Sequence, residues 1–395
     1  MSFLGYPRRD GSAGTRNDVL VIPPGLIASE ICHFVPGTRC LESADSGSGR
    51  TANDRETIAR VLIGLGRNPN TAACIVHSGS PGSDYPETNP ERIANEIAKS
   101  GKPVELIDVV KEGGTLEALQ RGIRVARTIV VEASRQRRVP CDDSQLTIGV
   151  KCGASDPTSG IAGNPVVGYA FDKLVAAGGT ALFGETTEVI GAEHLVAKRA
   201  VTPEVAKALL DCVAKIEALA KASGQDIRTV NPVPSNIAGG LSSLEEKSLG
   251  AMHKAGSAPI QGVLKYGEHP PGKGLYFVDN WMTMTSIFLG YAAAGAQLVM
   301  FQLGGGGLPH WTLLEGAPTA VVPLLWTTAN PVTWARSADS IDFFSGTVIS
   351  GEETVEQAGE RFYQHILDIA SGTRTKPETI RYVSPAQMYL REPGF

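Results

Sequence analysis

Two groups of polar side chains directly follow apolar runs of the kind that form buried strands. The group after residues 146–150 consists of Lys151, Cys152, Ser155, Asp156 and Asn164. The group after residues 180–183 consists of Glu185, Glu188, Glu193 and His194. Because open α/β sheets bind ligands beyond the carboxyl ends of their strands, where neighbouring loops meet, we expect both groups to line one crevice.

These side chains can perform acid–base chemistry or hold a cation. Lys151 and His194 are candidate bases. The candidate ligands of a hard divalent ion such as Mg²⁺ are Glu185, Glu188 and Glu193. Cys152 is a candidate metal ligand or catalytic group, and Ser155, Asp156 and Asn164 are candidate substrate-binding residues. Each has a structural alternative, because free cysteines are commonly buried, lysines extend to solvent and carboxylates at a helix start interact favourably with the helix dipole.

Cationic and amide groups near the start of the chain form a candidate carboxylate site. Arg16 and Asn17 precede an apolar, strand-like run at residues 18–23, and a guanidinium binds a carboxylate in bidentate fashion. The alternative is a solvated arm that contacts a neighbouring subunit. The sequence leaves both interpretations open.

Small polar loops after other strand-like runs provide further candidates. Their backbone N–H groups can bind an anion at the start of a helix, although tight strand-to-helix turns favour glycine without any ligand. The candidate substrate-binding residues in these loops are Ser48, His77, Ser80, Gly305 and Gly306. His310, beside Trp311, is a candidate catalytic residue. The alternatives are a structural hydrogen bond for His77 and packing at a domain interface for His310.

Strand-like and helical segments alternate along the chain. Apolar runs at residues 71–76 and 146–150 alternate with helical patterns at 51–67 and 115–134. Such alternation is typical of βαβ units, and a chain of 395 residues is long for a single core. We therefore predict an α/β protein with two Rossmann-like domains and mainly parallel sheets.

A segment rich in proline and glycine, residues 231–240, interrupts this periodicity. Spaced prolines and paired glycines are typical of a connector. We therefore predict a first domain at residues 1–230, a linker at 231–250 and a second domain at 251–395.

Composition restricts the partners and the compartment. The net charge is −5 and no basic run interleaved with aromatic residues occurs, which argues against nucleic acid as a partner. No apolar stretch reaches the roughly 18 residues that a membrane span needs, and the N-terminus lacks the apolar core of a signal peptide. The six cysteines are widely spaced, so we expect free thiols in a cytoplasmic protein.

With these residues in view, the chain resembles the large catalytic portion of the altronate/galactarate dehydratase family, which also includes a sulfolactate sulfo-lyase subunit. The likeness runs over nearly the whole length and keeps the order of the motifs. Near the start, the matching residues are Asp10, Gly11 and 14–17. In the middle, they are 152–156, Ser159, Gly160, Asn164 and Pro165, followed by Glu185, Glu188 and 191–194. Towards the end, they are 304–307, Asp342, Gly346 and 370–372.

The resemblance implies two α/β domains and elimination of water from a sugar acid, assisted by a divalent metal such as Fe²⁺, Mn²⁺ or Mg²⁺. It also implies a possible small partner subunit, and the N-terminal arm and C-terminal helix suggest a homo-oligomer. Cys152, Glu185 and Glu188 are the metal ligands that this reading assigns. Where the family usually has two further cysteines, this chain has Ser48 and Ser80, and serine is a poor ligand for soft metals.

The leading hypothesis is therefore a hydro-lyase that converts a small hydroxy-carboxylate into a 2-keto acid. Two alternatives stay open. The first is a hydrolase or isomerase that uses Cys152 without a metal, and the second is a non-catalytic subunit of a two-component lyase.

Overall fold

The computed structural model describes residues 1–42, 45, 47–307, 320–380 and 386–395. The strands are β1 (Ser2–Pro7), β2 (Ala13–Gly14), β3 (Asp18–Ile22), β4 (Thr38–Arg39), β5 (Thr71–His77), β6 (Val104–Ile107), β7 (Val139–Asp142), β8 (Thr147–Gly153), β9 (Thr180–Phe183), β10 (Ile260–Leu264), β11 (Gly274–Val278), β12 (Leu298–Leu303), β13 (Leu324–Thr328) and β14 (Phe343–Phe344). The helices are α1 (Leu26–Phe34), α2 (Ala52–Arg67), α3 (Pro90–Ala98), α4 (Thr115–Ser134), α5 (Asn164–Ala176), α6 (Glu193–Ala197), α7 (Pro203–Ala222), α8 (Ile227–Val230), α9 (Pro234–Ala238), α10 (Leu244–Met252), α11 (Met284–Ala293), α12 (Pro331–Ser337), α13 (Thr347–Ser350) and α14 (Val355–Ala370).

Two parallel sheets form the framework. The smaller sheet has the order β4-β3-β5-β6, and the larger has the order β10-β11-β9-β8-β12-β13-β14. All pairings within these two sheets are parallel. A small antiparallel sheet, β2-β1-β7, adds the N-terminal arm. The predicted α/β class with mainly parallel sheets is therefore confirmed.

The predicted domain border is not where the sheets divide. β8 and β9 precede residues 231–250 and β11 and β12 follow them, yet all four strands lie side by side in the larger sheet. Residues 231–250 are not an extended linker, because they contain α9 and most of α10. Pro234 lies in the first turn of α9, a position where proline is well tolerated. The prolines and glycines of residues 231–240 therefore delimit short helices that belong to the part of the chain forming the larger sheet.

Helices cover both faces of the larger sheet. One core lies between that sheet and helices α5 and α14, and the other extends from the opposite face to α2 beside the smaller sheet. Helix α2 is capped by Thr51, whose side chain accepts a hydrogen bond from the Asp54 backbone N–H. A Cβ atom at Gly64 of α2 would lie 2.2 Å from the Ala293 carbonyl oxygen at the end of α11. Glycine therefore lets the two layers approach at backbone distance.

No helix in the described part of the chain has the length and apolar character that crossing a membrane requires.

Candidate active site

The ends of β8 and β9 bring together polar residues that are far apart in sequence. The two strands are parallel neighbours, so Cys152 near the end of β8 lies beside Glu185, two residues after β9. The Cys152 backbone N–H donates to Glu185 Oε2 at 3.2 Å. The structure thus places one residue from each predicted group in direct contact.

Two lysines converge on the Glu185 carboxylate. Lys151 Nζ lies 3.0 Å from Oε1 and Lys254 Nζ lies 2.5 Å from Oε2. Lys254 Nζ also contacts Cys152 Sγ at 3.1 Å, while Lys151 Nζ donates to the Cys152 carbonyl at 2.7 Å. Glu185 and Lys254 are completely buried, and Lys151 and Cys152 nearly so. We call Lys151, Cys152, Glu185 and Lys254 the charged cluster.

Burial and charge act in opposite directions on this cluster. Burial by itself raises the pKa of Glu185, but Lys151 and Lys254 outweigh it, so the pKa lies below its ordinary value. Burial works against the ammonium form of Lys254, but the neighbouring Cys152 and Glu185 outweigh it and raise its pKa. Burial raises the pKa of the Cys152 thiol. Two amines thus face one carboxylate in a water-poor setting, where an added anion is favoured.

The backbone around the cluster adopts an uncommon conformation. Ala154 has a φ of 45° and Glu185 has a φ of 67°, and in the described chain no other non-glycine residue has a positive φ. This left-handed region costs a residue with a side chain roughly 1–3 kcal/mol and is frequent at functional sites. The strained turn after β9 is what points the Glu185 carboxylate at the end of β8.

A cavity of about 210 Å³ adjoins the charged cluster. Ser155 connects the two, because it lines the cavity and its Oγ lies 4.0 Å from Cys152 Sγ. The polar residues of the wall are Ser155, Asp156, Ser159, Asn164, Glu246, Lys247 and His253. Three predicted substrate-binding residues, Ser155, Asp156 and Asn164, therefore share one cavity.

The glycine-rich segment after β12 packs against this cavity wall. The Gly306 N–H donates to Asp156 Oδ2 at 3.0 Å. A Cβ atom at Gly304 would lie 2.5 Å from the Ala154 carbonyl oxygen, so only glycine permits the approach. Gly305 lies between them with a φ of 92°, a left-handed conformation that glycine adopts readily.

Comparison with known proteins gives the family. The model of the D-galactarate/altronate dehydratase C-terminal domain matches residues 143–390, and the model of the second domain of D-galactarate dehydratase/altronate hydrolase matches residues 5–134. The chain belongs to the galactarate/altronate dehydratase family. By family it is a carbon–oxygen lyase of the dehydratase type.

Individual relatives agree with this assignment. The chain is 34% identical over 385 residues to the (2R)-sulfolactate sulfo-lyase subunit beta of Chromohalobacter salexigens, covering 96% of this chain and 95% of the relative. It is 30% identical over 387 residues to the altronate dehydratase of Bacillus subtilis, covering 94% and 74%. It is 33% identical over 277 residues to the galactarate dehydratase (L-threo-forming) of Escherichia coli, covering 69% and 51%.

In this dehydratase-family chain, Arg16 and Asn17 do not face the charged cluster. Arg16 holds Glu378 through two contacts of 2.7 Å and donates to backbone carbonyls, including that of Ile369 at 3.0 Å. Asn17 Nδ2 donates to the Ala133 carbonyl at 3.0 Å. These contacts are structural, and the substrate-binding role of Arg16 and Asn17 stays a prediction. Both residues precede β3, at the amino ends of its sheet, whereas the polar loops follow the carboxyl ends.

His77 has the structural role that was its alternative. Its Nε2 lies 2.7 Å from the Pro23 carbonyl oxygen, and its Nδ1 accepts from the Gly79 N–H at 3.2 Å. Burial lowers the pKa of His77 to about 4, so the ring is neutral at neutral pH. Both nitrogens are engaged, which leaves no polar atom for a substrate.

The remaining predicted residues lie apart from the charged cluster. His194 is exposed on α6, Ser48 is exposed in a turn, and Ser80 is half-buried. Within the described structure none of the three side chains hydrogen-bonds to the cluster. The predicted base role of His194 therefore has no geometric support. His310 lies outside the described residues.

The predicted metal ligands do not form a metal site in this arrangement. Glu188 pairs with Lys247 at 2.9 Å, and Lys254 Nζ bridges Cys152 and Glu185. Among the described residues, no group of three or more His, Cys, Asp or Glu side chains is arranged to hold a metal ion. The Lys254 ammonium lies between the Cys152 sulfur and the Glu185 carboxylate, so the ligand set Cys152, Glu185 and Glu188 stays a prediction that metal analysis tests.

Sequence reasoning missed both lysines of helix α10 and the turn that follows it. Lys247 and Lys254 are 5% and 0% exposed, which is rare for lysine. Their spacing of seven residues places them on one face of a helical segment, together with apolar Leu244 and Ala251. Two lysines on the apolar face of a predicted helix could have indicated that these side chains are buried in a polar site.

Proposed function

We propose that this chain eliminates water from a small hydroxylated carboxylate of the sugar-acid type and produces a 2-keto acid. The observation that carries the proposal is the charged cluster, in which two buried lysines face one buried carboxylate beside a cavity. Family membership supports the same reaction type. Altronate and galactarate, named by the relatives, are the first substrates to test.

The reaction has two demands that the charged cluster suits. Removing the proton from the carbon next to the carboxylate gives a dianionic enediolate, which needs fixed positive charge. Breaking the C3–O bond then expels hydroxide, which needs a proton to leave as water. Lys254 and Lys151 supply charge in a water-poor setting, and one such donor is worth about 10²–10³-fold in rate.

We assign the proton transfers to His253 and Lys254. His253 lines the cavity one residue before Lys254, and a neutral imidazole has one nitrogen that can accept a proton, so it takes the C2 proton. The Lys254 ammonium, with its raised pKa, gives a proton to the departing hydroxyl. The resulting enol becomes the 2-keto acid. Lys151 stays a cation rather than a base, because its Nζ donates to Glu185 and to the Cys152 carbonyl.

Elimination of sulfite is the second candidate. The chain covers 95% of the sulfo-lyase subunit beta but 74% of the Bacillus subtilis altronate dehydratase. Sulfite leaves as a stable anion without needing a proton. Removal of the C2 proton and formation of the enediolate are therefore the same, but proton donation by Lys254 is not required. This candidate also brings a small partner subunit into the proposal.

A substrate panel tests these proposals. Purified chain is incubated with aldonates, aldarates and sulfolactate, with and without Fe²⁺, Mn²⁺ or Mg²⁺, and 2-keto acid and sulfite are quantified. Product from a sugar acid supports dehydration, sulfite supports the second candidate, and no product from any acid overturns both.

Elemental analysis tests the predicted metal requirement, for which the described residues offer no ligand set. Co-purification and size-exclusion chromatography test the predicted small subunit and homo-oligomer.

A further inference from the structure

The cavity beside the charged cluster has polar wall residues other than His253 that no step of the proposed elimination uses. Lys247 of α10 and Asn164 at the start of α5 both line it, and they are 5% and 1% exposed. Its volume of about 210 Å³ equals roughly seven waters at about 30 Å³ each. The space fits part of a small organic acid rather than a nucleotide.

Lys247 is held in place from behind. Its Nζ lies 2.5 Å from Asn231 Oδ1 and 2.9 Å from Glu188 Oε1. An ammonium carries three N–H donors, so these two contacts leave one donor for the cavity. Glu188 and Asn231 are thus positioning residues that fix the direction of this donor.

Asn164 presents the complementary acceptor. Its Nδ2 donates to the Gly250 carbonyl at 2.9 Å, whereas its buried Oδ1 has no hydrogen-bond partner among the described residues. Glu188 Oε2 and Asn231 Nδ2 share this property. Of these residues only Asn164 lines the cavity. Buried polar atoms are normally paired, so its unpaired Oδ1 indicates a missing polar ligand in the cavity.

We propose that Lys247 and Asn164 form a hydroxyl-binding subsite that holds the substrate chain beyond its reacting carbons. A hydroxyl both donates and accepts a hydrogen bond, which matches one ammonium donor and one amide acceptor on the same wall. The inference rests on the proposed function, with the reacting end at the charged cluster and Ser155 between the two. Acids that carry hydroxyls past C3 are favoured over three-carbon acids, because a site built to bind a hydroxyl rejects the analogue without it.

Two independent variants test the subsite. Asn164→Ala removes the acceptor, and Lys247→Met with Glu188→Gln removes the donor without leaving an unpaired buried charge. Glu245→Gln, on the same helix and in an exposed pair with Arg228, is the matched control. Circular dichroism and the urea midpoint establish that each variant is folded.

We expect kcat/KM for five- and six-carbon aldonates and aldarates to fall about 10- to 100-fold, the range for losing a hydrogen bond to a charged group. The loss should appear mainly in KM, with less than threefold change for the three-carbon sulfolactate and none in the control. An equal loss for long and short acids, or no loss in either variant, overturns the subsite.

Calorimetric titration separates this inference from the proposed reaction. Galactarate and lactate are titrated into the wild-type chain and both variants. Weaker galactarate binding in the variants with unchanged lactate binding supports the subsite even where no product forms, and in that case only the proposed reaction fails. Galactarate binding that is absent, or unchanged in both variants, overturns the subsite.

Discussion

Replacing Lys254 with methionine tests the charged cluster most directly. The substitution removes the 2.5 Å contact with Glu185 and the 3.1 Å contact with Cys152. Breaking a buried ion pair by removing one partner costs about 3–5 kcal/mol, because an uncompensated charge stays buried. Lys151 still contacts Glu185 at 3.0 Å, so we expect the lower end, a loss of about 3 kcal/mol in the free energy of unfolding.

The measurement is urea unfolding at pH 7, where the pair contributes fully. The lowered pKa of Glu185 gives stability that is present above its unfolded pKa and lost as pH falls through the folded pKa. The raised pKa of Lys254 gives stability that is present below its unfolded pKa and lost as pH rises through the folded pKa. Neutral pH lies inside both windows.

Two further variants show whether charge is the cause. Lys254→Met combined with Glu185→Gln leaves no unpaired carboxylate, so we expect it to be more stable than Lys254→Met alone. Lys207→Met breaks an exposed pair with Asp211 and should leave the midpoint unchanged. A double variant that is less stable than the single one would contradict the electrostatic explanation.

The same variant tests the proposed chemistry. We expect Lys254→Met to lower kcat for water elimination about 10²–10³-fold, and to lower sulfite elimination less, because sulfite needs no proton. Both rates are measured as 2-keto acid formed. Wild-type stability together with water elimination within threefold of wild type would refute the reasoning.

Three further predictions concern residues around the cluster. Arg16→Gln should lower the free energy of unfolding by about 2 kcal/mol with KM unchanged, since Arg16 binds Glu378; a raised KM in steady-state kinetics would restore its substrate-binding role. The pKa of His77, about 4, lies below its unfolded value near 6.5, so stability should fall by up to about 3 kcal/mol as pH drops through this interval. Urea titrations at pH 7 and 5 should show a smaller fall for His77→Gln, and an equal fall rejects the assignment. Gly304→Ala places a Cβ 2.5 Å from the Ala154 carbonyl oxygen. It should lower the free energy of unfolding by about 1–3 kcal/mol and lower kcat. Unfolding and kinetics equal to wild type would show that the loop can shift to accommodate the methyl group.

The sequence could predict the contact between Cys152 and Glu185, but it could not predict that Lys254 contacts both of them. β8 and β9 are consecutive parallel strands separated by one helix, so polar residues after each meet at the same sheet edge. Lys254 lies 102 residues from Cys152 on a short turn without any motif. Its position depends on how α10 packs against the ends of the strands, which no local pattern contains.

Two features of the structure differ from the simplest interpretation of the sequence, and each difference has a physical reason. Arg16 and Asn17 stand before a strand, and a residue before a parallel strand lies at the opposite sheet edge from a residue after it. Their position relative to the strand was therefore better information than their chemistry. Residues 231–250 contain short helices, because proline and glycine also delimit short helices, so a break in periodicity does not distinguish a linker from a pair of short helices.

The burial of Glu185 ties the fold to the chemistry. Lys151 reaches the carboxylate from the sheet face where its Nζ lies 5.0 Å from the Phe301 ring centre, and Lys254 reaches it from the turn after α10. Glu185 can meet both only because the strained turn after β9 places it at the sheet edge. Two cations and one anion leave the buried cluster one negative charge short of balance. In the proposed elimination, a substrate carboxylate supplies that charge and the enediolate supplies a second, so the excess positive charge that destabilises the fold favours the reacting anion.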